Sequence, residues 1–532
     1  MQKRQVFNPF LPLNEYIPDG EPHVFGDRVY IYGSHDKEGG YTFCMQDYVT
    51  YSAPVNDLSD WRYEGVIYKA SQDSRYPNPQ YLFAPDVVQG NDGKYYLYYC
   101  MGGDYGCKGY TGPIGVAVSD SPVGKFKFLG YVKNPDGTPM MKYICFDPSV
   151  VNDNGTIRVY YGTQYGYEEQ DDFFENEEYI KEEMEMFGRT KEEILLYPDS
   201  IMGPSMVVLE DDMITVKEEA KHIIPYRVKG TSFEKHPFFE GSSMRKVGDK
   251  YYFIYSSWQN HELCYATSDY PDKDFIFGGT IVSNGDVGYK GRTESEKLNM
   301  TGTTHGSIIE INNQWYVFYH RLTHKSDYSR QACAEKIYID YDGSIAQVEV
   351  TSCGLNDEPL KAKGEYPSII ACNITNGHMP HGSNSIYTIP FPNVTNIGDE
   401  RFIAEIQNNT LIGYKYFSFS GLTNISVTVR KETENNKIRI DVPKRTDNRC
   451  DDEIMKCMNF KDDSEALENA YIDILIKEKS KPVGRIFIPD DFDGQWCRLS
   501  CTVNIPCGVH PLYFVYHGKD MIQMKKFDFI GG

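Results

Sequence analysis

One hairpin pattern recurs five times along this chain, and no other feature constrains the fold as much. It appears as DGEPHVFGDRVYIYG from Asp19, DVVQGNDGKYYLYY from Asp86, DPSVVNDNGTIRVYYG from Asp147, EGSSMRKVGDKYYFIYSS from Glu240 and HGSIIEINNQWYVFYHR from His305. In each copy a polar leader precedes a short strand, a turn dipeptide follows, and an aromatic-rich strand returns. The dipeptides Gly26-Asp27, Asp92-Gly93, Asn154-Gly155, Gly248-Asp249 and Asn312-Asn313 have the composition of tight hairpin turns. The leaders recur at similar intervals except between Asp147 and Glu240, where the spacing is longer. Each unit is larger than a hairpin, so it can supply a small antiparallel sheet that cannot bury both faces by itself. Five such sheets packed radially make a five-bladed β-propeller, with the innermost strand of each blade presenting its leader at the mouth of the central channel.

The long interval holds an acidic stretch rich in helix formers, which predicts a helical insertion over about 165–200. Its charge reads as a solvated face; a pocket-wall role would fall to Phe173, Phe174 or Tyr179. The repeats stop near residue 350. Beyond them YKYFSFSGLTNISVTVRK, AYIDILI, QWCRLSCTVNI and GVHPLYFVYHG alternate apolar and polar residues, as strands of an antiparallel, jelly-roll-like β-sandwich do. The chain is therefore expected to be all-β, with a propeller over 1–351, a junction near 352–364 and a sandwich over 365–532. With 532 residues there is material for two cores, and 14% aromatic content with 43 Tyr suits half-buried strands.

A formal net charge of -22 repels polyphosphate and anionic lipid, so nucleic acid and membrane surfaces are poor partners and a neutral ligand such as a sugar is compatible. MQKRQVFNPFLPLNEY contains no apolar run of signal-peptide length, and a cytoplasmic location is expected. The 13 cysteines read mainly as reduced, buried thiols. The spacing of Cys497, Cys501 and Cys507 does not suit a common zinc site.

Taken singly, an Asp at a strand start is usually a turn residue. Three Asp and one Glu at equivalent places in a closed ring converge on one cavity, where repulsion and desolvation raise some of their pKa values. A cavity with both ionised and protonated carboxyls has what glycosidic hydrolysis needs, one acid for the leaving oxygen and one carboxylate for water.

These residues also carry a resemblance. NPFLPLNEYIPDGEP, FAPDVV, FDPSVVNDNG, FFEGSSMRKVGDKYYFIYSS and THGSIIEINNQWYVFYHR resemble, in order, the motif series of glycoside hydrolase family 43. The resemblance implies a five-bladed propeller acting by inversion on arabinose- and xylose-containing oligosaccharides. It implies Asp19 as general base, Glu240 as general acid and Asp147 as the carboxylate that orients the acid and keeps its pKa high. It places Asp86 near the substrate subsite, Arg330 as the substrate-binding arginine with Arg321 as competitor, and His305 at the axial histidine position, near a calcium ion or its water shell. No organic cofactor is expected. For His305 a polar plug of the channel stays open as an alternative, and for Arg330 an ion pair between blades. Inversion requires carboxyls roughly 6.5–9.5 Å apart.

The C-terminal region resembles family 6 carbohydrate-binding modules, although SIIACNIT stands where their calcium motif opens. Three other readings compete with an exo-acting arabinofuranosidase or β-xylosidase: a galactose-releasing member of the same family, a retaining fructan-type propeller hydrolase, and a non-catalytic glycan-binding protein. Glu240 preceding Gly241, not Cys, counts against the fructan type.

Overall fold

In the computed structural model, described over residues 4–103, 112–164, 177–197, 200–382, 386–439 and 469–530, the chain is all-β with little helix. Five antiparallel sheets follow one another in sequence order, four with four strands and the last with three. Their first strands are Glu21–Phe25, Asp86–Gln89, Ser149–Asp153, Phe238–Val247 and Ser307–Ile311. All five expected hairpins form, each turning at its predicted dipeptide: Phe25 pairs with Arg28, Asp153 with Thr156, Val247 with Lys250, Ile311 with Gln314, and Gln89 with Tyr95 across a longer loop.

Each first strand touches the first strand of the next sheet, and the fifth touches the first, so the sheets close into a ring. Closure is completed by the N-terminal segment. The Phe10 amide donates to the Ala332 carbonyl, and the Asn8 side chain donates to Ala334 and Thr351 carbonyls while accepting from the Ala334 amide. This segment therefore satisfies the outer edge of the three-stranded fifth sheet, Ser326–Ile337, which would otherwise present unpaired backbone groups.

The expected helical insertion lies between Thr156–Tyr161 and Ser205–Leu209 as helices Glu177–Phe187 and Lys191–Leu195. Thr190 and Glu193 cap the second helix reciprocally, which explains why it starts at Lys191. Phe173 and Phe174 lie outside the described residues, as does the side chain of Tyr179.

Beyond residue 352 come two six-stranded sheets whose inner faces share one apolar core, with Phe417, Ile474 and Phe514 from one and Ile403, Val427 and Phe527 from the other. Tyr414 and Phe417 are buried in it, and Tyr416 is half-buried with its hydroxyl on Glu349. The described cysteines are free thiols, mostly buried.

This region is tied to the ring by charged and polar contacts that are mostly closed to water. Lys325 Nζ donates to both carboxylate oxygens of Glu405 at 3.0 and 2.8 Å, Lys415 reaches Asp286 and Glu349, and Arg401 pairs with Glu38. Arg321 donates to the Ala371 and Ile369 carbonyls, which occupies it far from any sugar-binding role. Lys325→Met should lower the unfolding free energy by about 3–5 kcal/mol, because it strands Glu405 as a buried charge. Urea unfolding measures this, and a loss below about 1 kcal/mol would mean that the pair behaves like an exposed one.

Candidate active site

The period of two along a strand decides which residues look into the ring axis. Asp19, Asp147 and His305 each stand two residues ahead of their first strand, and Glu240 stands at a bulge within Phe238–Val247. Asp19 and Asp147 share an unusual backbone, with φ of 57° and 45°. Asp tolerates this left-handed region better than most residues, and such outliers concentrate at functional sites. Gly241 has φ +74°, and a Cβ there would come within 3.0 Å of the His305 ring. The chain next to Glu240 therefore lies directly against His305. Gly306 is equally constrained, since its Cβ would overlap the Phe318 carbonyl.

The structure thus brings together Asp19, Asp147, Glu240, His305 and Arg330. His305 Nδ1 lies 3.8 Å from Asp19 Oδ1 and 3.7 Å from Asp147 Oδ2. Arg330 Nη1 donates to Asp19 Oδ1 at 2.8 Å. His320, which the sequence does not single out, accepts the Asp19 amide proton at Nδ1 and donates from Nε2 to the Thr303 carbonyl. These bonds fix its tautomer, and burial holds its pKa down at about 3, so it is neutral.

The carboxyls separate into two protonation classes. Burial pushes Asp19 upward, but the Arg330 guanidinium leads the neighbours that outweigh it and hold it below the ordinary aspartate value. Burial and the charge of Asp19 push Glu240 up to about 8, with Arg330 opposing. Asp147 is pushed well above the usual carboxylate range by burial, then by Glu240 and Asp19. At neutral pH the site therefore holds an ionised Asp19 and a protonated Glu240, the pairing that acid-base chemistry requires.

Two expectations meet a different geometry. Asp86 is fully buried one layer deeper than the other leaders: Oδ1 meets His23 Nε2 at 2.6 Å and Oδ2 accepts the Val150 amide. It fastens the first three sheets together beneath the other leaders. Arg330 is 5% exposed and its nitrogens are engaged within the protein, by Asp19, Asp36 and the Cys44 sulfur. Its position is the inter-sheet ion pair that the sequence left open.

Around these groups lies an aromatic and aliphatic wall. Phe43 stacks over the Arg330 guanidinium, 4.8 Å from its carbon, and packs with Phe83, Phe146 and Tyr328. Phe187 of the insertion and Ile386 of the C-terminal region join the same cluster.

One layer below the leaders the axis is lined by oxygen. Ser243 Oγ donates to Glu21 Oε2 and meets Ser307 Oγ at 2.8 Å, while Glu21, His23 and Asp86 offer ligand atoms within 4.8 Å of one another. Glu21 Oε1 and Ser149 Oγ are buried without partners. Calcium takes oxygen donors, and in this layer Arg245 and His23 already pair with the carboxylates of Glu21 and Asp86.

A buried ring of carboxyls, split between ionised and protonated forms at the mouth of a β-sheet channel, defines a glycoside hydrolase. The sequence profile of glycosyl hydrolases family 43 matches residues 8–195. A xylosidase/arabinosidase of Thermoclostridium stercorarium is 39% identical, covering 99% of this chain and 99% of that protein. A xylosidase/arabinosidase 43A of Humicola insolens is 32% identical over 63% of this chain and 97% of its own. Among solved structures, a GH43_1 enzyme from Xanthomonas citri aligns with TM-score 0.49 and 25% identity, covering 66% of this chain and 96% of that one. The chain belongs to glycosyl hydrolase family 43.

The separated pKa values give a pH profile. kcat/KM should stay level from below the ordinary aspartate range up to a basic limb near pH 8, where Glu240 loses its proton. A basic limb at or below pH 6 would contradict the assignment of the proton to Glu240.

Proposed function

We propose that this chain is an inverting, exo-acting glycoside hydrolase that releases xylosyl or arabinofuranosyl residues from short plant cell-wall oligosaccharides. The observation that carries the reading is the ionised Asp19 and the protonated Glu240 in one closed site. The sugar comes from the relatives, whose names couple xylosidase with arabinosidase. In this reading the five sheets are blades of a propeller, and the two six-stranded sheets form a jelly-roll-like sandwich resembling family 6 carbohydrate-binding modules. The boundaries are 1–351 and 365–532.

The mechanism is a single displacement. Asp19 takes a proton from water as it attacks the anomeric carbon, Glu240 gives its proton to the departing oxygen, and the C–O bond breaks with inversion. Burial and the charge of Asp19 keep the proton on Glu240, and Asp147, the third carboxyl of the site, orients the acid. Arg330 acts on Asp19, holding one oxygen and favouring its ionised form. A calcium ion on the axis would be held near His305 or through its water shell, with the oxygens of Glu21 and Asp86 as the carboxylate donors of that layer. When bound, it adds positive charge beneath the carboxyls, and none of the proton transfers depends on it.

The C-terminal sandwich serves as a brace and as part of the pocket wall. Lys325–Glu405 and Lys415–Asp286 fix it against the propeller, and Ile386 stands in the aromatic cluster beside the carboxyls. The unfolding experiment on Lys325 tests the brace.

Leaving-group dependence tests the acid and base roles. Glu240→Ala should lose about 10²–10⁴-fold in kcat on a xylo- or arabino-oligosaccharide but much less on an activated aryl glycoside, which needs little protonation. Asp19→Ala should lose activity on both alike. Wild-type rates for Glu240→Ala on both substrates would remove it from the acid role.

A further inference from the structure

Asp36 lies on the loop after Arg28–Tyr32 and is fully buried. Its two carboxylate oxygens accept four bonds. Oδ2 accepts the Arg330 Nε–H at 2.8 Å and the Arg330 backbone amide at 3.2 Å, and Oδ1 accepts Arg330 Nη2 at 3.0 Å and the Cys44 amide at 2.9 Å. The backbone of Asp36 is held as well, its amide on the Tyr16 carbonyl and its carbonyl by Gln46 Nε2. The guanidinium is thus gripped by its Nε/Nη2 edge, and only Nη1 remains to reach Asp19 Oδ1.

A free guanidinium pairs with a carboxylate through two parallel N–H bonds, so Arg330 without its anchor would close on both oxygens of Asp19. Both oxygens of Asp19 would then carry a charge-assisted bond, which makes each a weaker acceptor for the proton of water. We propose that Asp36 is a positioning residue for hydrolysis: by holding the Nε/Nη2 edge of Arg330, it limits that arginine to one oxygen of Asp19 and keeps the other for the attacking water. The stack of Phe43 on the guanidinium face fixes its plane and closes the remaining way for it to turn. The proposal rests on the reading of Asp19 as the base.

The test compares Asp36→Asn, Arg330→Met and the double variant in the full chain, on an aryl xyloside and on a xylo-oligosaccharide. In Asp36→Asn one of the two acceptor oxygens becomes an NH₂ group facing the guanidinium, and the grip on the edge is lost. kcat should fall about 10²-fold on both substrates. KM should change less than about threefold, because the loss falls on the water and not on sugar binding. In the Arg330→Met background Asp36→Asn should cost nothing further. The proposal is overturned if Asp36→Asn keeps wild-type kcat, or if it costs the same in both backgrounds. It is also overturned if Asp36→Asn fails to fold while Arg330→Met folds, since either of the last two results assigns Asp36 to its loop. An active Asp19→Ala would sink the base assignment itself. An inactive Asp19→Ala beside a wild-type Asp36→Asn would sink this proposal alone.

Discussion

One guanidinium is shared by two buried carboxylates, and the chemistry of the site depends on that sharing. Asp19 and Asp36 are both bonded to Arg330 in a volume closed to water, while Glu240 and Asp147 feel the same guanidinium only at longer range. A low dielectric magnifies the difference. Asp19, bonded to Arg330 Nη1, is held below the ordinary aspartate value, while at Glu240 and Asp147 burial and the neighbouring carboxyls outweigh the same cation and hold the protons on. Chemically alike carboxyls are therefore set apart by how closely each one meets the arginine and how many other carboxyls surround it.

That arrangement requires the ring to close, because Arg330 comes from the fifth sheet and Asp19 and Asp36 from the first. Closure is made by the first strands touching in a circle, and by Asn8 and Phe10 covering the edge of Ser326–Ile337. Below the carboxyls, Asp86 joins three sheets at once, and Glu21 takes bonds from Ser243 and Arg245 of the fourth. The polar axis is thus a structural element as well as the floor of the site. Its charges are satisfied across sheets, which ties the precision of the catalytic groups to the packing of the whole ring.

Much of this was legible in the sequence because hairpins are local. A leader, a turn dipeptide and an aromatic return strand lie within about fifteen residues, so the five sheets and the places of Asp19, Asp147, Glu240 and His305 could be read directly. The helical insertion was legible from composition. Asp36 and His320 were not, because a single polar residue near a strand looks like a surface or turn residue until its partner is known, and those partners lie hundreds of positions away. The depth of Asp86 was hidden for a related reason. It begins its strand where Asp19, Asp147 and His305 stand two residues ahead, a one-layer shift that the motif alone does not reveal. The contacts of Arg321, Lys325 and Lys415 with the C-terminal sheets were equally hidden, since nothing in an isolated basic residue tells which carboxylate it meets.

The central claim is that water is activated by Asp19 on one side of the sugar while Glu240 protonates the leaving oxygen on the other. The stereochemistry of the first-formed product tests this most directly. Proton NMR of a hydrolysis followed from its first minutes should show the anomer opposite to that of the substrate, before mutarotation mixes the two. Release of sugar with the configuration of the substrate retained would contradict the account.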